Sequence, residues 1–381
     1  MLIQIHMLQN YAPANLNRDD TGAPKTAVFG GKRRGRISSQ CIKRSIRRSE
    51  AFQKAFKESG LLGTRTRRLP ELIAEELRRL EADEEAIRAI VERVPEIGRE
   101  SAKKGDEDEG ADDEVEETAT KEVETKQLIF IAPNELPVLA ASLLEIYRKL
   151  GASKWKKAKI DEIAKELKTE LPRSVDIAMF GRMTTSAAFE DVNAAVQVAH
   201  AISTNTLEQE FDYYTAVDDI SRETGAGMIG DVAYNSSTYY KYLNVHWESL
   251  VNNLGGDTAT ACAAVIALLE AAATAHPSGK QNSFAAFNLP DFILVEVSQR
   301  NLPVNHANAF LKPVRESYDI DLMTASIQAL AGYIEKVSGR YNLNPERAYL
   351  AMDEVTLSGA EPVSSLVDLK EWLAERLPVE G

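Results

Sequence analysis

The chain has 381 residues, 44% of them hydrophobic, and a formal net charge of −13. That composition excludes an intrinsically disordered chain and fits one large domain with insertions, or two to three smaller ones. No apolar run is long enough to cross a bilayer, MLIQIHMLQNYA lacks the charged and apolar regions of a signal peptide, and Cys41 and Cys262 lie far apart; the expectation is therefore no membrane partner, no disulfide framework and a reducing cytoplasm.

The chain is acidic as a whole but basic in one place. Eleven acidic residues and one lysine between Asp106 and Glu124 account for −10 of the net charge, whereas Arg18–Glu50 holds ten Lys/Arg against three Asp/Glu. A phosphate chain responds to the local field within about one Debye length, ~8 Å at physiological salt, so the basic segment matters more than the sum.

In chain order, Leu2–Leu8 alternates Ile3, Ile5 and Met7 with Gln4 and His6, which predicts a half-buried strand. A polar loop is expected from Gln9 to Arg36. Ser38-Ser39-Gln40 offers an N-cap for a helix reaching about Ser59, with Ile42, Ile46, Phe52 and Phe56 inward. On it, Lys43 and Arg47 form one column and Arg44 and Arg48 the next. From about Arg65 to Leu171 the pattern is helical and highly charged: ELIAEELRRLEADEEAIRAIVERV reads as one amphipathic helix, the acidic tract as a solvated disordered loop, and a second helical stretch starts near Leu136. A small-residue helix is expected around Val192–Ile202, a long β-hairpin or arm over Ser203–Tyr242, a helix at Thr258–Thr274, a strand at Asp291–Ser298 and a terminal amphipathic helix in LVDLKEWLAERL. Strands and helices interleave with insertions, an α+β pattern.

The segment FGGKRRGRISSQCIKRSIRR, Phe29–Arg48, carries the strongest chemical signal. Gly30-Gly31 permits close backbone approach to a ligand. Lys32, Arg33, Arg34 and Arg36 supply charge, and Ser38, Ser39 and Gln40 open a helix whose free N–H groups suit a phosphate. Lys43 and Arg47 extend the positive surface along that helix. Several cations beside oriented donors, with few groups suited to base edges, is what sugar-phosphate binding requires. A solvated helix face plus a surface loop is the plain alternative for a charge run alone.

This stretch also resembles a family. LNRDD (Leu16–Asp20), FGGKRR and RISSQ in order, then VDIAMFGRM (Val175–Met183), AISTN (Ala201–Asn205), FDYYTAVDD (Phe211–Asp219), KQNSFAAFN (Lys280–Asn288) and NHANAF (Asn305–Phe310), are similar to the CasC-family crRNA-binding backbone subunit of type I-E CRISPR Cascade. Only about Ser59–Pro172 matches weakly. The resemblance implies an RRM-like (ferredoxin-like) palm from 1–59, 176–202 and 243–381, helical fingers inserted at 60–175 with a disordered acidic loop at 105–125, and a β-hairpin thumb at 203–242. Copies would stack along a bacterial guide RNA, with crRNA, other copies, other Cascade subunits and, through guide pairing, target DNA as partners. Arg18, Lys25, Ser38, Gln40, Lys43 and Arg47 would contact RNA phosphates and sugars, and Met183 would wedge beside a base. Tyr213, Tyr214 and Thr215 would lie on the thumb. Lys154, Lys156, Lys157 and Lys159 fall where the family contacts target DNA, or else form a solvated helix end.

Catalytic signals are thin. His6, His200, His246, His276 and His306 show no metal-ligand spacing and read as packed or surface residues, and there is no P-loop or nucleophile elbow. Asp19 and Asp20 leave open a metal-dependent RNA-cleaving subunit, as in related type III complexes, against a salt bridge that orients Arg18. A generic single-strand RNA-binding protein is the remaining alternative. No enzyme activity and no cofactor are expected.

Overall fold

The first strand is longer and more deeply covered than its alternation implies. In the computed structural model, which describes residues 1–97, 124–125, 128–167, 173–184, 189, 191–216 and 228–378, β1 runs Leu2–Ala14. Gln4 and His6 are buried with Ile3, Ile5 and Met7, so β1 is not half-exposed. The expected polar loop is partly strand: β2 (Thr26–Phe29) and β3 (Lys32–Ile37) form an antiparallel hairpin. Helices α1 (Ser39–Arg48) and α2 (Glu50–Phe56) follow, split at Ser49. Ser49 is extended; its N–H donates to Ile46 O while its hydroxyl accepts from Phe52 N, so one residue ends α1 and starts α2. Ile42, Ile46, Phe52 and Phe56 are buried as expected.

The chain groups into two units, residues 1–55, 196–250 and 258–381 in the first and 56–195 and 251–257 in the second. The second is mainly helical: β4 (Thr64–Thr66), α3 (Leu69–Arg79), α4 (Glu84–Val91), α5 (Val94–Ile97), β5 (Ile129–Ile131), α6 (Glu135–Trp155), α7 (Ile160–Glu166) and α8 (Val175–Phe180). The helix expected to be continuous through ELIAEELRRLEADEEAIRAIVERV breaks, because Glu81 adopts φ +53° and Asp83 caps α4 by accepting from Ala86 N at 2.7 Å. Leu69, Ile73, Leu77, Ile90, Leu143 and Trp155 belong to this unit's core. The acidic tract lies outside the described residues, apart from Glu124 and Thr125. Residues 176–195, expected with the palm, group here.

The first unit continues with β6 (Val196–Val198), β7 (Ala201–Ser203), β8 (Glu210–Ala216), β9 (Met228–His246), α9 (Trp247–Asn253), α10 (Thr258–Thr274), α11 (Gln281–Phe284), β10 (Phe292–Ser298), a 3-10 turn (His306–Phe310), α12 (Leu322–Tyr341), β11 (Glu346–Ala351), β12 (Glu361–Pro362) and α13 (Leu366–Ala374). The helix expected at Val192–Ile202 is replaced by β6 and β7. Both pair with β9, Val196 opposite Val245 and Ile202 opposite Tyr240, and the unmet hydrogen bonds of that strand outweigh the helix propensity of the alanines. The strands form one ten-stranded sheet in the order β12-β11-β10-β1-β9-β7-β3-β2, with β6 and β8 also on β9. All pairs are antiparallel except β11–β12. The fold class is α+β, as expected.

β1 sits between β9 and β10, with Ile5 opposite Leu243 on one side and Val295 on the other. Opposite its Met7, Lys241 buries its amine and donates to Ala272 O of α10 at 2.8 Å. The face carrying Leu8 packs into a core with Phe310, Ile327, Leu330 and Ile334 from the 3-10 turn and α12. Among the described residues no helix is long and apolar enough to cross a membrane.

Burial lowers the Lys241 ammonium from 10.5 to about 7, and raises Tyr239 and Tyr242 from 10 to about 12. Between pH 7 and 10 the unfolded chain binds the extra lysine proton, so stability rises with pH; above 10 the unfolded tyrosines ionise first and it falls. The lysine's share of the rise is on the order of 4 kcal/mol. Urea unfolding across this range should show a maximum near pH 10, and Lys241→Met should flatten the climb from 7; an unaltered climb in the variant would assign it elsewhere.

Candidate nucleic-acid interface

The β2–β3 turn is made by Gly30 and Gly31, with φ +59° and +72°. Two successive positive φ values suit a tight hairpin whose twist matches its strands. The close approach expected of Gly30 is internal, because a Cβ there would lie 1.8 Å from Leu311 O. Arg34 likewise departs from its expected role. It is fully buried and donates to the carbonyls of Ser203 (2.9 Å), Thr204 (2.8 Å) and Phe310 (2.6 Å). Both terminal nitrogens of its guanidinium are taken up by main-chain carbonyls, so it is a clamp for the hairpin and not a phosphate ligand. Its neighbours Lys32 and Arg33 are exposed.

The loop between β1 and β2 is fixed by short polar side chains. Asp19 Oδ1 accepts from Thr21 N (3.0 Å), Thr21 Oγ1 (2.7 Å) and Ala23 N (3.0 Å), and these bonds, the Thr21 hydroxyl first, hold its carboxyl below the usual range. Asp19 therefore shapes its own turn, and among the described residues the salt bridge expected to orient Arg18 is not found. Arg18 is exposed and pairs in a β-bridge with Pro24. Asp19 and Asp20 join no group of three metal-ligating side chains among the described residues. Lys25 N donates to Asn17 O and Asn17 Oδ1 accepts from Ser38 N, both at 2.8 Å, which ties this loop to the start of α1.

At that start Ser38 is the N-cap, accepting from Cys41 N at 3.3 Å. Ser39 N donates to His200 Nδ1 at 3.2 Å, and the Arg36 guanidinium lies 3.4 Å from the same nitrogen. Burial first, then the charges of Arg36 and Lys25, lower the His200 pKa and keep it an acceptor. His200 was not singled out in the sequence; only folding brings it beside a segment more than 160 positions away. Gln40 is exposed, Lys43 and Arg47 are half-buried on the next turns of α1, and Ile42 and Ile46 hold the other face. Among the described residues Arg18, Lys25, Lys32, Arg33 and Arg36 make no ion pair. Cations that make no ion pair among the described residues, beside a hydroxyl-capped helix start, have the chemistry to bind an anion.

The β8–β9 arm exposes Tyr213, Tyr214 and Thr215, with Phe211, Met228 and Ile229 also open. Tyr214 lies over Gly230 across the strands, where a Cβ would meet its ring at 2.6 Å. Residues 235–246 of β9 instead form central sheet against β1, so the arm proper is shorter than 203–242. In the second unit Met183 is 92% exposed and follows Arg182, whose buried guanidinium pairs with Glu135 at 2.6 and 2.8 Å. Lys154 in the last turn of α6, and Lys156, Lys157 and Lys159 between α6 and α7, are exposed.

A family model for CT1975-like protein matches residues 3–374. The chain belongs to the CT1975-like protein family. A comparison with curated proteins returned no match. Among solved structures, the chain is similar to one from a "CRISPR RNA-guided surveillance complex, pre-nicking" at 30% identity and TM-score 0.80, covering 99% of this chain and 100% of that one. A second, from a "CRISPR RNA-guided surveillance complex", matches at 26% identity and TM-score 0.70 with the same coverage. These findings agree with the resemblance carried by the motifs.

Arg34→Ala should cost on the order of 3 kcal/mol, since it strands several buried carbonyls, while Lys32→Ala should stay within about 0.5 kcal/mol. Urea midpoints for the two variants test this division, and equal midpoints would contradict the clamp.

Proposed function

We propose that this family member is a crRNA-binding backbone subunit of a type I-E-like Cascade complex. The observation that carries the proposal is the run of cations, Arg18, Lys25, Lys32, Arg33 and Arg36, that make no ion pair among the described residues beside the capped start of α1. Such a surface grips phosphates and leaves sequence reading to base pairing by the guide. In this reading the first unit's sheet is an RRM-like palm, the helical unit is the fingers, and the β8–β9 arm is the thumb. The exposed Tyr213-Tyr214-Thr215 edge packs against RNA held by a neighbouring copy, and Met183 sits beside a base. Lys154, Lys156, Lys157 and Lys159 face target DNA paired to the guide. The subunit works in the bacterial cytoplasm with crRNA, further copies and other Cascade subunits, and performs no catalytic step itself.

The test mixes the full chain with single-stranded RNAs of increasing length and reads particle mass by light scattering at low and high salt. Mass should grow in regular steps with RNA length and collapse in salt. Lys43→Ala with Arg47→Ala should weaken binding and lower the log–log salt slope by roughly 2. Binding without stepwise growth would instead indicate a generic RNA-binding module. Regularly spaced RNA cuts lost in Asp20→Ala would indicate a cleaving subunit.

A further inference from the structure

β1, β10 and the 3-10 turn enclose a polar cluster that the spacing 6, 296, 306 conceals. His6, Glu296 and His306 are all buried, and one ligand atom from each lies within 4.8 Å of the other two. Glu296 Oε2 is the shared point, 3.3 Å from His6 Nε2 and 4.0 Å from His306 Nε2. Two donors bound at about 2.0–2.2 Å to one tetrahedral ion sit roughly 3.3–3.5 Å apart, so His6 and Glu296 already have that spacing and His306 must close on both. Neither ring nitrogen of His306 has a hydrogen-bond partner, although the residue is 1% exposed. A buried, unpaired polar group is destabilising, and an ion accepting its lone pair removes that penalty.

The surroundings match what a bound ion needs from its second layer. His6 Nδ1 shares a 2.8 Å hydrogen bond with Tyr240 Oη, which also accepts from His306 N at 3.1 Å. Glu296 accepts from Arg347 Nε at 2.6 Å through one oxygen and from Gln4 Nε2 at 3.0 Å through the other. These bonds aim the carboxylate. A cavity of about 270 Å³, lined by Glu296, His306 and Arg347 among others, gives an ion a way in and a water a place at a fourth position.

We propose that His6, Glu296 and His306 bind a divalent transition-metal ion, with zinc the best match to two imidazoles and one carboxylate. Binding puts the ion on Nε2 of His6 and Nε2 of His306; His6 then carries its proton on Nδ1 and donates it to Tyr240 Oη. The ion ties β1 and β10 to the turn that ends at Phe310. The carbonyl of Phe310 holds Arg34, and Leu311 O seats Gly30. A metal there therefore stiffens the base of the basic hairpin without touching RNA.

The test uses the full chain stripped with a chelator, then titrated with Co²⁺ and Zn²⁺ in the absence of RNA. Cobalt should give the intense visible bands of tetrahedral coordination at one ion per chain, zinc should displace it, and zinc should raise Tm. His306→Leu, checked for folding by circular dichroism, should abolish the cobalt bands. Tyr240→Phe, which keeps the ligands, should weaken binding roughly 10–100-fold. A wild-type chain with neither bands nor a Tm shift overturns the proposal, as do bands retained by folded His306→Leu. If His306→Leu does not fold, unchanged affinity in Tyr240→Phe overturns it. RNA assembly is read separately, so failure of the metal site leaves the nucleic-acid reading standing.

Discussion

The first unit depends on one constraint, which is that β1 meets water on neither face over most of its length. Its edges are paired along β9 and β10, and both its faces are covered. Every polar side chain it carries must then find a partner inside the protein. Gln4 finds Glu296 and Tyr242, His6 finds Tyr240, and just past the strand's end Asn15 Nδ2 bridges the carbonyls of Gly22 and Ala233. These partners come from more than two hundred residues away, or from the far end of a loop. Meeting the hydrogen-bond demand of one strand thus fixes the register of three.

The same demand sorts the basic segment. Along β3 the side chains alternate, so Arg33 and Arg34 point to opposite sides of the hairpin. Arg34 goes inward, where main-chain carbonyls await it, and its charge is spent holding the hairpin to the residues after Ala201 and to the 3-10 turn. The exposed cations depend on it for position. The two glycines divide in the same way: Gly31 has open space about its missing Cβ, while Gly30 presses on the backbone of Leu311. A charge run is therefore a mixture of surface and scaffold.

β9 shows how one element serves two environments. Its first residues pair only with β8 and leave Tyr213, Ile229 and Met228 open, whereas its last twelve are central sheet with Tyr240 and Leu243 fully covered. An arm of this kind gains little from its own burial. Its exposed aromatic and aliphatic side chains are the sort of surface that a partner covers.

Much of this was written locally. Ser38 as a cap, Ile42 and Ile46 as the inward stripe, Thr258–Thr274 as a helix and Phe292–Ser298 as a strand follow from hydrogen-bonding chemistry and periodicity over a few residues. The clustering of cations around residues 18–48 was also plain, because charge can be counted. Other features could not be read that way. Residues 196–203 became strand only because β9 was waiting for partners. Arg34 became a clamp because distant carbonyls converged on it, and His200 reached Ser39 through the same sheet. His6, Glu296 and His306 carry no spacing signal, since their meeting point is made by pairing β1 with β10 and laying the 3-10 turn beside them. Sequence by itself determined which segments could bind an anion and which could be helix or strand, for those are short-range properties. Tertiary structure alone decided which charges face solvent and which are consumed inside, because burial is a property of neighbours that the chain brings together only when it folds.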